Sequence, residues 1–242
     1  MTRMSFERAH RTLADAIGGD PTLAMDRSDQ RLSLILSARC ARDLVCEVLG
    51  DDQLLGEVAQ RSYRHSNGFD KITLLSSLEP EFKLRMHVWW PERRQPLGAE
   101  LIHNHRWIFR STMLCGSSWV QTFSECDHGT PMFRFRYGPR DESLQRYELK
   151  AEGRSSLSSS LRFALSPGST YSMGTDIFHR VLWRGSRVSI TMFVRGEAVG
   201  EGATVFSDCA HMDVQMLSVP SFSPAQLRRK LTGVLAELTS FA

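Results

Sequence analysis

Two histidines separated by one residue, His103 and His105, have the type and spacing most suited to metal chemistry. Residues 100–115 are rich in Ile, Trp, Phe, Thr and Leu, which favours a β-strand. Residues two apart on a strand point to the same face, so the imidazoles would project together and could share a divalent metal. A surface strand with two unrelated histidines is the alternative. The metal interpretation gains support from His179, which lies in a second strand-like stretch at residues 176–183.

Two short motifs contain these histidines. Their residues are Gly98, His103, His105 and Gly116 in the first, and Pro167, Gly168 and His179 in the second. In composition and spacing they resemble the motifs of the cupin superfamily, whose members are small antiparallel β-barrels with a metal inside. The first cupin motif usually carries a Glu ligand four or five residues after its second histidine, where this chain has Phe109 and Arg110. The resemblance therefore implies a metal bound by His103, His105 and His179 without a carboxylate ligand.

A three-histidine cupin is similar to the thiol dioxygenases of the cysteine dioxygenase type. This resemblance covers roughly residues 63–195 and implies a non-heme Fe(II) oxygenase that uses O₂ on a small amino-acid-like or carboxylate substrate. The Ser-x-His-x-Tyr strand of that family falls on Ser189, Thr191 and Phe193, so its imidazole and its phenol are both missing. We therefore predict little or no activity on cysteine itself. Fe(II) is the metal that the resemblance favours, with Zn, Ni, Mn and Cu as alternatives.

Three neutral imidazoles do not by themselves select a metal or a reaction. Fe(II) with open coordination positions suits oxygenation, whereas Zn(II) with three histidines and a water suits hydrolysis or hydration. Two other classes therefore stay open beside the oxygenase. One is a non-redox metal cupin enzyme, such as an isomerase, lyase or hydrolase. The other is a cupin that binds a ligand without turnover.

Three polar residues near the predicted metal strands are candidates for catalysis. Tyr171 could reach the barrel mouth as a hydrogen-bond donor, with structural packing as the alternative. Arg110 stands where the usual Glu would be, but it faces inward only if its strand contains a bulge. His87 shares a strand face with Arg85, and fits either a position beside the metal ligands or a place in the core.

Arg85, Arg134 and Arg180 are the predicted substrate-binding residues. Arginine binds carboxylates through bidentate hydrogen bonds, and a metal with three neutral ligands is costly to bury unless an anion meets its charge. We therefore expect an anionic substrate, such as an amino acid or a derivative of one. The alternative is that these arginines, together with Arg136, face solvent and that hydroxide balances the metal.

The composition predicts one ordinary globular unit of 242 residues, 41% hydrophobic and 24% charged. We expect a mainly β fold, an antiparallel cupin barrel over residues 63–206, with a helical extension at 1–62 and a C-terminal extension with a helix at 207–242. The net charge of +3 is too small to indicate a nucleic-acid partner. The five cysteines without Cys-x-x-Cys spacing are typical of reduced thiols in a cytoplasmic protein, and no signal peptide or membrane-spanning run is visible.

Apolar residues at helical spacing predict helices at both ends of the chain. They cover residues 5–17 and 29–49, a third helix begins after Asp51, and a terminal helix begins at Ser223 with a capping box. Their apolar stripes fit packing against the barrel or against a second copy of the chain, so a homodimer is one expectation.

Alternating residues predict the barrel strands. These run over residues 69–75, 82–90, 119–123, 162–165, 177–183 and 187–195, and residues 127–130 predict a hairpin turn. A glycine-rich phosphate loop is not visible in the sequence, so a nucleotide-dependent enzyme is not predicted.

Overall fold

The computed structural model describes residues 3–18, 30–93, 101–138, 141, 143, 146–209 and 217–240. Four helices precede the first strand and one follows the last. They are α1 (Phe6–Ile17), α2 (Gln30–Ile35), α3 (Ala38–Gly50), α4 (Asp52–Gln60) and α5 (Pro224–Ser240). Among the described segments, no helix is long and apolar enough to cross a membrane.

Thirteen strands form the body of the described protein. They are β1 (Tyr63–Arg64), β2 (Asp70–Leu78), β3 (Glu81–Trp89), β4 (Ile102–His103), β5 (Trp107–Cys115), β6 (Ser118–Tyr137), β7 (Arg146–Tyr147), β8 (Leu149–Leu165), β9 (Thr170–Met173), β10 (Phe178–Leu182), β11 (Ser189–Ala198), β12 (Ala203–Ser207) and β13 (Leu217–Ser218). A short 3₁₀ turn, Pro91–Arg93, follows β3.

Two antiparallel sheets enclose a cavity that is lined by the three predicted metal ligands, among other residues. The six-stranded sheet has the order β1-β2-β3-β11-β5-β9, and the five-stranded sheet has the order β10-β4-β12-β6-β8. From β9 to β12, consecutive strands alternate between the two sheets, which wraps the chain as in a double-stranded β-helix. The predicted mainly β fold, an antiparallel double-stranded β-helix barrel with helices at both ends, is confirmed.

The helices begin where short polar side chains cap them. Ser5 caps α1 and Asp51 caps α4, each accepting a hydrogen bond from a backbone N–H of the first turn. The prediction of one continuous helix over residues 29–49 is wrong, because this segment forms two helices. The Ser37 hydroxyl accepts from the Cys40 backbone N–H at 3.2 Å and starts α3 as a separate helix after α2. The predicted capping box of α5, between Ser223 and Gln226, is present.

The helices pack on one face of the six-stranded sheet and form the main core. Its buried members from the strands include Ile72, Leu74, Met86, Val88, Ile190, Met192 and Val194. Because side chains alternate along a strand, the residues between these positions point to the opposite face, which lines a cavity between the two sheets.

The hairpin turn predicted at residues 127–130 is wrong. β6 continues through this segment, and its pairing with β8 shifts register there, so that Glu125 and Thr130 both oppose Leu157. The extra residues are absorbed as an irregularity within a long strand, as in a β-bulge. The turn composition was therefore a poor guide, because the pairing partner β8 extends past it on both sides.

Candidate metal centre

The pairing of two strands of the five-stranded sheet brings the three predicted ligands together. His179 on β10 lies directly opposite His103 on β4, and His105 follows two residues after His103. The ring centroids are 4.7 Å apart for His103 and His179, and 5.1 Å apart for His105 and His179. One candidate ligand nitrogen from each ring lies within 4.8 Å of the others. This arrangement matches what three ligands of one ion require.

Hydrogen bonds orient two of the imidazoles for coordination. Nδ1 of His103 lies 3.0 Å from the Leu101 carbonyl oxygen, and Nδ1 of His179 lies 3.3 Å from the Ile177 carbonyl oxygen. When Nδ1–H donates to these carbonyls, Nε2 is left as a lone-pair donor, which is how ligating histidines are commonly held. Nδ1 of His105 is buried without a hydrogen-bond partner among the described residues.

Burial keeps these imidazoles neutral. Desolvation lowers the pKa of His179 to about 3 and holds the pKa of His103 below its ordinary value. The pKa of His105 is lowered well below its ordinary value, by burial first and then by the neighbouring charges. Neutral imidazole is the form that binds metals, so the three residues fit a divalent ion such as Fe(II) or Zn(II).

The two residues at the usual Glu position point in opposite directions. Phe109 lies beside the histidines, with its ring centroid 4.9 Å from that of His105 and 5.7 Å from that of His179. Arg110 lies on the other face of β5, outside the cavity, and its guanidinium donates to Ser33 Oγ of α2 at 3.2 Å. The predicted catalytic placement of Arg110 is therefore wrong: β5 pairs regularly with β11 from Phe109 to Met113, which sets Arg110 opposite Val194, a residue that faces the helices.

The cavity in front of the histidines has a volume of about 260 Å³. This is slightly below the roughly 300–1,000 Å³ of pockets for drug-sized ligands, so its occupant must be small. Its walls contain both aromatic and cationic side chains. The cations among its described lining residues are Arg61, Lys71, Lys83, Arg85, Arg106 and Arg195, and the only carboxylate among them is Glu81.

Arg85 and His87 both face this cavity from β3, as their predicted roles require. Arg85 is only 6% exposed, and its guanidinium lies 5.4 Å from the centroid of the Trp107 ring. Burial lowers the pKa of His87 well below its ordinary value, with further lowering by Lys71 and Arg85. His87 Nε2 is buried and has no hydrogen-bond partner among the described residues, so it can meet a polar group of a ligand.

Tyr171 also lines the cavity, on β9 opposite Ser111 of β5. Burial raises the pKa of the phenol to about 12, and a hydrogen bond with Ser111 lowers it less than burial raises it. The hydroxyl therefore keeps its proton at neutral pH and is available as a donor. Its ring packs edge-on against Phe109, at a centroid distance of 5.7 Å.

The other predicted substrate-binding arginines lie outside the cavity. Arg134 forms ion pairs with Glu125 and Glu152 on the long β6–β8 hairpin, at 3.1 and 3.2 Å. Arg180 donates to the Gln121 side chain at 3.0 and 2.8 Å. It follows His179, and successive residues of a strand face opposite sides. The predictions for Arg134 and Arg180 are wrong in placement. The first motif's Gly98 lies outside the described residues.

Several further cavity residues were missed from the sequence, and five of them are important for the chemistry of the site. Tyr63, His65, Lys71, Trp107 and Arg195 all line the cavity. The available signal was the alternation in β2, where polar residues such as Lys71 occupy one face between buried apolar ones. That pattern predicts a polar face, but solvent is its usual neighbour, and the sequence does not reveal that a second sheet covers it.

No family model matches the chain, and no curated protein matches it. Among solved structures, the chain is similar to oxalate oxidase, with 15% identity over 73% of this chain and 73% of that chain and a TM-score of 0.36. It is also similar to hydroquinone 1,2-dioxygenase from Sphingomonas sp. TTNP3 with 4-hydroxybenzoate bound, with 10% identity over 59% and 71% and a TM-score of 0.32.

A structure of DMSP lyases matches at 12% identity with a TM-score of 0.31. That match covers 56% of this chain and 51% of the other, so the chain spans about half the length of that relative. At these identities and TM-scores, the similarities carry no information about the reaction of this protein.

Proposed function

We propose that the protein is a metal-dependent enzyme, an Fe(II) oxygenase, that acts on a small anionic substrate. One observation carries the proposal: three neutral imidazoles, that of His179 buried and the other two half-buried, face a cavity whose described lining holds six cationic side chains and one carboxylate. Held by His103, His105 and His179, Fe(II) would supply a +2 charge and open coordination positions for an anionic substrate and O₂.

Arg85 is the residue that best fits the role of carboxylate anchor. Its guanidinium lies near the faces of two aromatic rings, 5.4 Å from the centroid of Trp107 and 6.0 Å from that of Phe193. A planar guanidinium packed in this way is oriented before a ligand arrives, so little conformational entropy is lost on binding. Trp107 stacks on His105 at 5.5 Å, which places this anchor next to the candidate metal ligands.

Two apolar rings form a water-excluding side of the cavity beside the same histidines. Phe109 and Phe193 stack at a centroid distance of 4.7 Å, and both are at most 3% exposed. Such a wall excludes water from the site and leaves space for an apolar diatomic such as O₂. Tyr171, with its proton retained, supplies a neutral hydrogen-bond donor at the edge of that wall.

The test is O₂ consumption by the Fe(II)-loaded protein, measured against a panel of small carboxylates and amino acids and their neutral amides. We expect uptake with acids and not with amides, no uptake with the Zn(II)-loaded protein, and loss of uptake in Arg85→Met. Arg134→Met is the matched control, because this arginine lies outside the cavity. Turnover with Zn(II) and without O₂ consumption would instead support a non-redox metal enzyme.

A further inference from the structure

The three candidate ligands are not held in the same way. His103 is the last residue of β4, and it pairs with His179 of β10 across the sheet. His105 lies between β4 and β5, outside any strand. Strand pairing therefore fixes two of the ligands, and other contacts must fix the third.

The ring of His105 has no hydrogen bond that would orient it. Its Nδ1 is buried without a hydrogen-bond partner among the described residues, whereas Nδ1 of His103 and of His179 each lies against a backbone carbonyl. Its neighbours are the rings of Trp107 and Phe109, at centroid distances of 5.5 and 4.9 Å. These apolar contacts limit the tilt of the ring but do not replace the hydrogen bond that commonly holds a ligating histidine. The placement of this imidazole therefore depends on its backbone.

Asn104 holds the backbone on the N-terminal side of His105. Its backbone N–H donates to the Thr204 carbonyl oxygen at 3.1 Å, and its side-chain Oδ1 accepts from the Thr204 backbone N–H at 2.7 Å. In a regular antiparallel pair, a backbone carbonyl would accept this second hydrogen bond. The side-chain oxygen takes its place, so the pairing with β12 is completed while the backbone turns toward β5.

The same amide also reaches the segment that leads into His179. Nδ2 of Asn104 donates to the Thr175 carbonyl oxygen at 2.8 Å. Thr175 lies in the turn between β9 and β10, four residues before His179. Only one orientation of the amide satisfies both partners, because Thr204 offers a donor and Thr175 an acceptor. One side chain thus ties the residue before His105 to β12 and to the approach to the third ligand.

The backbone on the other side of His105 is held without a side chain. The Val199 backbone N–H donates to the Arg106 carbonyl oxygen at 2.6 Å, and β5 begins at the next residue. His105 is therefore a single residue between two anchors. Asn104 is the anchor that a side-chain substitution removes.

We infer that Asn104 is a positioning residue for the metal centre: its side-chain amide keeps His105 in the ligand set by fixing the backbone before it and, through Thr175, its separation from His179. This inference rests on the proposed function for its metal. It deepens that function by assigning the residue that assembles the three-histidine set.

The test is a double-mutant cycle on metal affinity. Competition with a chromophoric chelator gives the Zn(II) affinity of the native protein, Asn104→Ala, His105→Ala and the double variant. Asn104→Ala should weaken binding by about 10–100-fold, as the loss of a group that orients a ligand does. In the His105→Ala background, the same change should alter the affinity by less than about two-fold, because the ligand that Asn104 positions is gone. An equal loss in both backgrounds would show a merely structural role and overturn the inference.

The visible spectrum of Co(II) provides a second measurement, since it reports the ligand set itself. The spectrum of Co(II)-loaded Asn104→Ala should resemble that of His105→Ala and differ from that of the native protein. Asn104→Asp keeps the acceptor for Thr204 and loses the donor to Thr175, so it should show the same change. If Asn104→Ala does not fold, as judged by thermal denaturation without metal, Asn104→Asp takes its place in the cycle.

Gln121→Ala is the matched control. This side-chain amide also bridges strands, accepting from Arg180 of β10 and donating to Ser159 of β8, but it does not line the cavity. Its loss should leave the Zn(II) affinity and the Co(II) spectrum unchanged. Native affinity and a native spectrum in the folded Asn104 variants would overturn the inference and leave the metal centre intact. Failure of the native protein to bind Zn(II) or Co(II) would instead remove the proposed function.

Discussion

Along β11, Thr191 and Phe193 face the cavity, whereas Ile190, Met192 and Val194 between and beside them face the helices. The helix-facing residues are almost completely buried among apolar neighbours, as a core requires. On the cavity face, the Thr191 hydroxyl is equally inaccessible but has no hydrogen-bond partner in the described part of the chain. The same strand thus has one face whose interactions are complete and one whose interactions are not.

This difference indicates where stability and function reside. Burying a polar group without a partner typically costs about 1–3 kcal/mol, so a cavity face built in this way lowers the stability of the fold. Proteins retain such a cost at sites where a bound ligand supplies the missing hydrogen-bond partner. The helix-facing core must then supply the stability that the cavity face does not. Each of the following changes tests that division.

The largest effect is expected on metal binding. In His179→Ala, metal affinity should fall by more than about 100-fold, because even residues that only orient a ligand typically contribute 10–100-fold. The melting temperature of the metal-free variant should stay close to that of the metal-free native protein. Mass spectrometry and thermal denaturation measure the two. His128→Ala, an exposed histidine on β6, is the control, and metal retention by the His179 variant would contradict the proposed centre.

On the helix-facing side, Met192→Ala should lower the free energy of unfolding by about 2–5 kcal/mol. Met192 is fully buried, so its removal leaves a cavity in the main core. Urea denaturation measures the loss, and metal affinity of the folded variant should be unchanged. A loss of less than 1 kcal/mol would mean that this face is not the source of stability.

On the cavity face, the buried charge of Arg195 is balanced within the protein by an ion pair with Glu81. Burial opposes ionisation of Glu81, but the hydrogen bond and the charge of Arg195 outweigh it and hold the pKa of this carboxyl below its ordinary value of 4.5. The depressed pKa contributes stability above pH 4.5 that is lost as the pH falls through the folded-state pKa.

Glu81→Gln should therefore destabilise the protein by about 1–3 kcal/mol at pH 7. The difference from the native protein should shrink as the pH falls below 4.5. Urea denaturation at several pH values follows this change. A difference independent of pH would show that packing of the side chain, not its charge, is what matters.

The smallest effect is expected one residue away from Met192. Thr191→Val keeps the side-chain volume and removes the hydroxyl that lacks a partner, so stability should be unchanged or greater by up to about 1 kcal/mol. Metal affinity should not change, because Thr191 is not one of the three candidate ligands. Destabilisation by more than 2 kcal/mol would show that the hydroxyl is satisfied in the native protein and that the two faces do not differ as described.

Much of the architecture could be read from local pattern. Helical spacing and capping residues located α1 and α4 to within a residue or two, because caps act through backbone groups three residues away. The break between α2 and α3 was missed because Ser37 interrupts an apolar stripe that itself continues. The supposed turn at residues 127–130 failed for the opposite reason, since a long partner strand overrode a local turn composition.

The amino-acid sequence by itself determined which residues could share a face. The spacing of His103 and His105, and the alternation that puts Arg85 and His87 together, follow from the two-residue period of a strand. These relations are local, so they hold wherever the strand is placed.

Only the tertiary structure decided what each face meets. Register between β4 and β10 set His179 opposite His103, and the second sheet turned the polar face of β2, with Lys71, into a cavity wall. The same assembly left Arg110 against α2 and Arg134 on the outer hairpin. Pairing and layer contacts join residues far apart in the chain, and a pattern with a period of two is the same whether water, helices or a second sheet covers it.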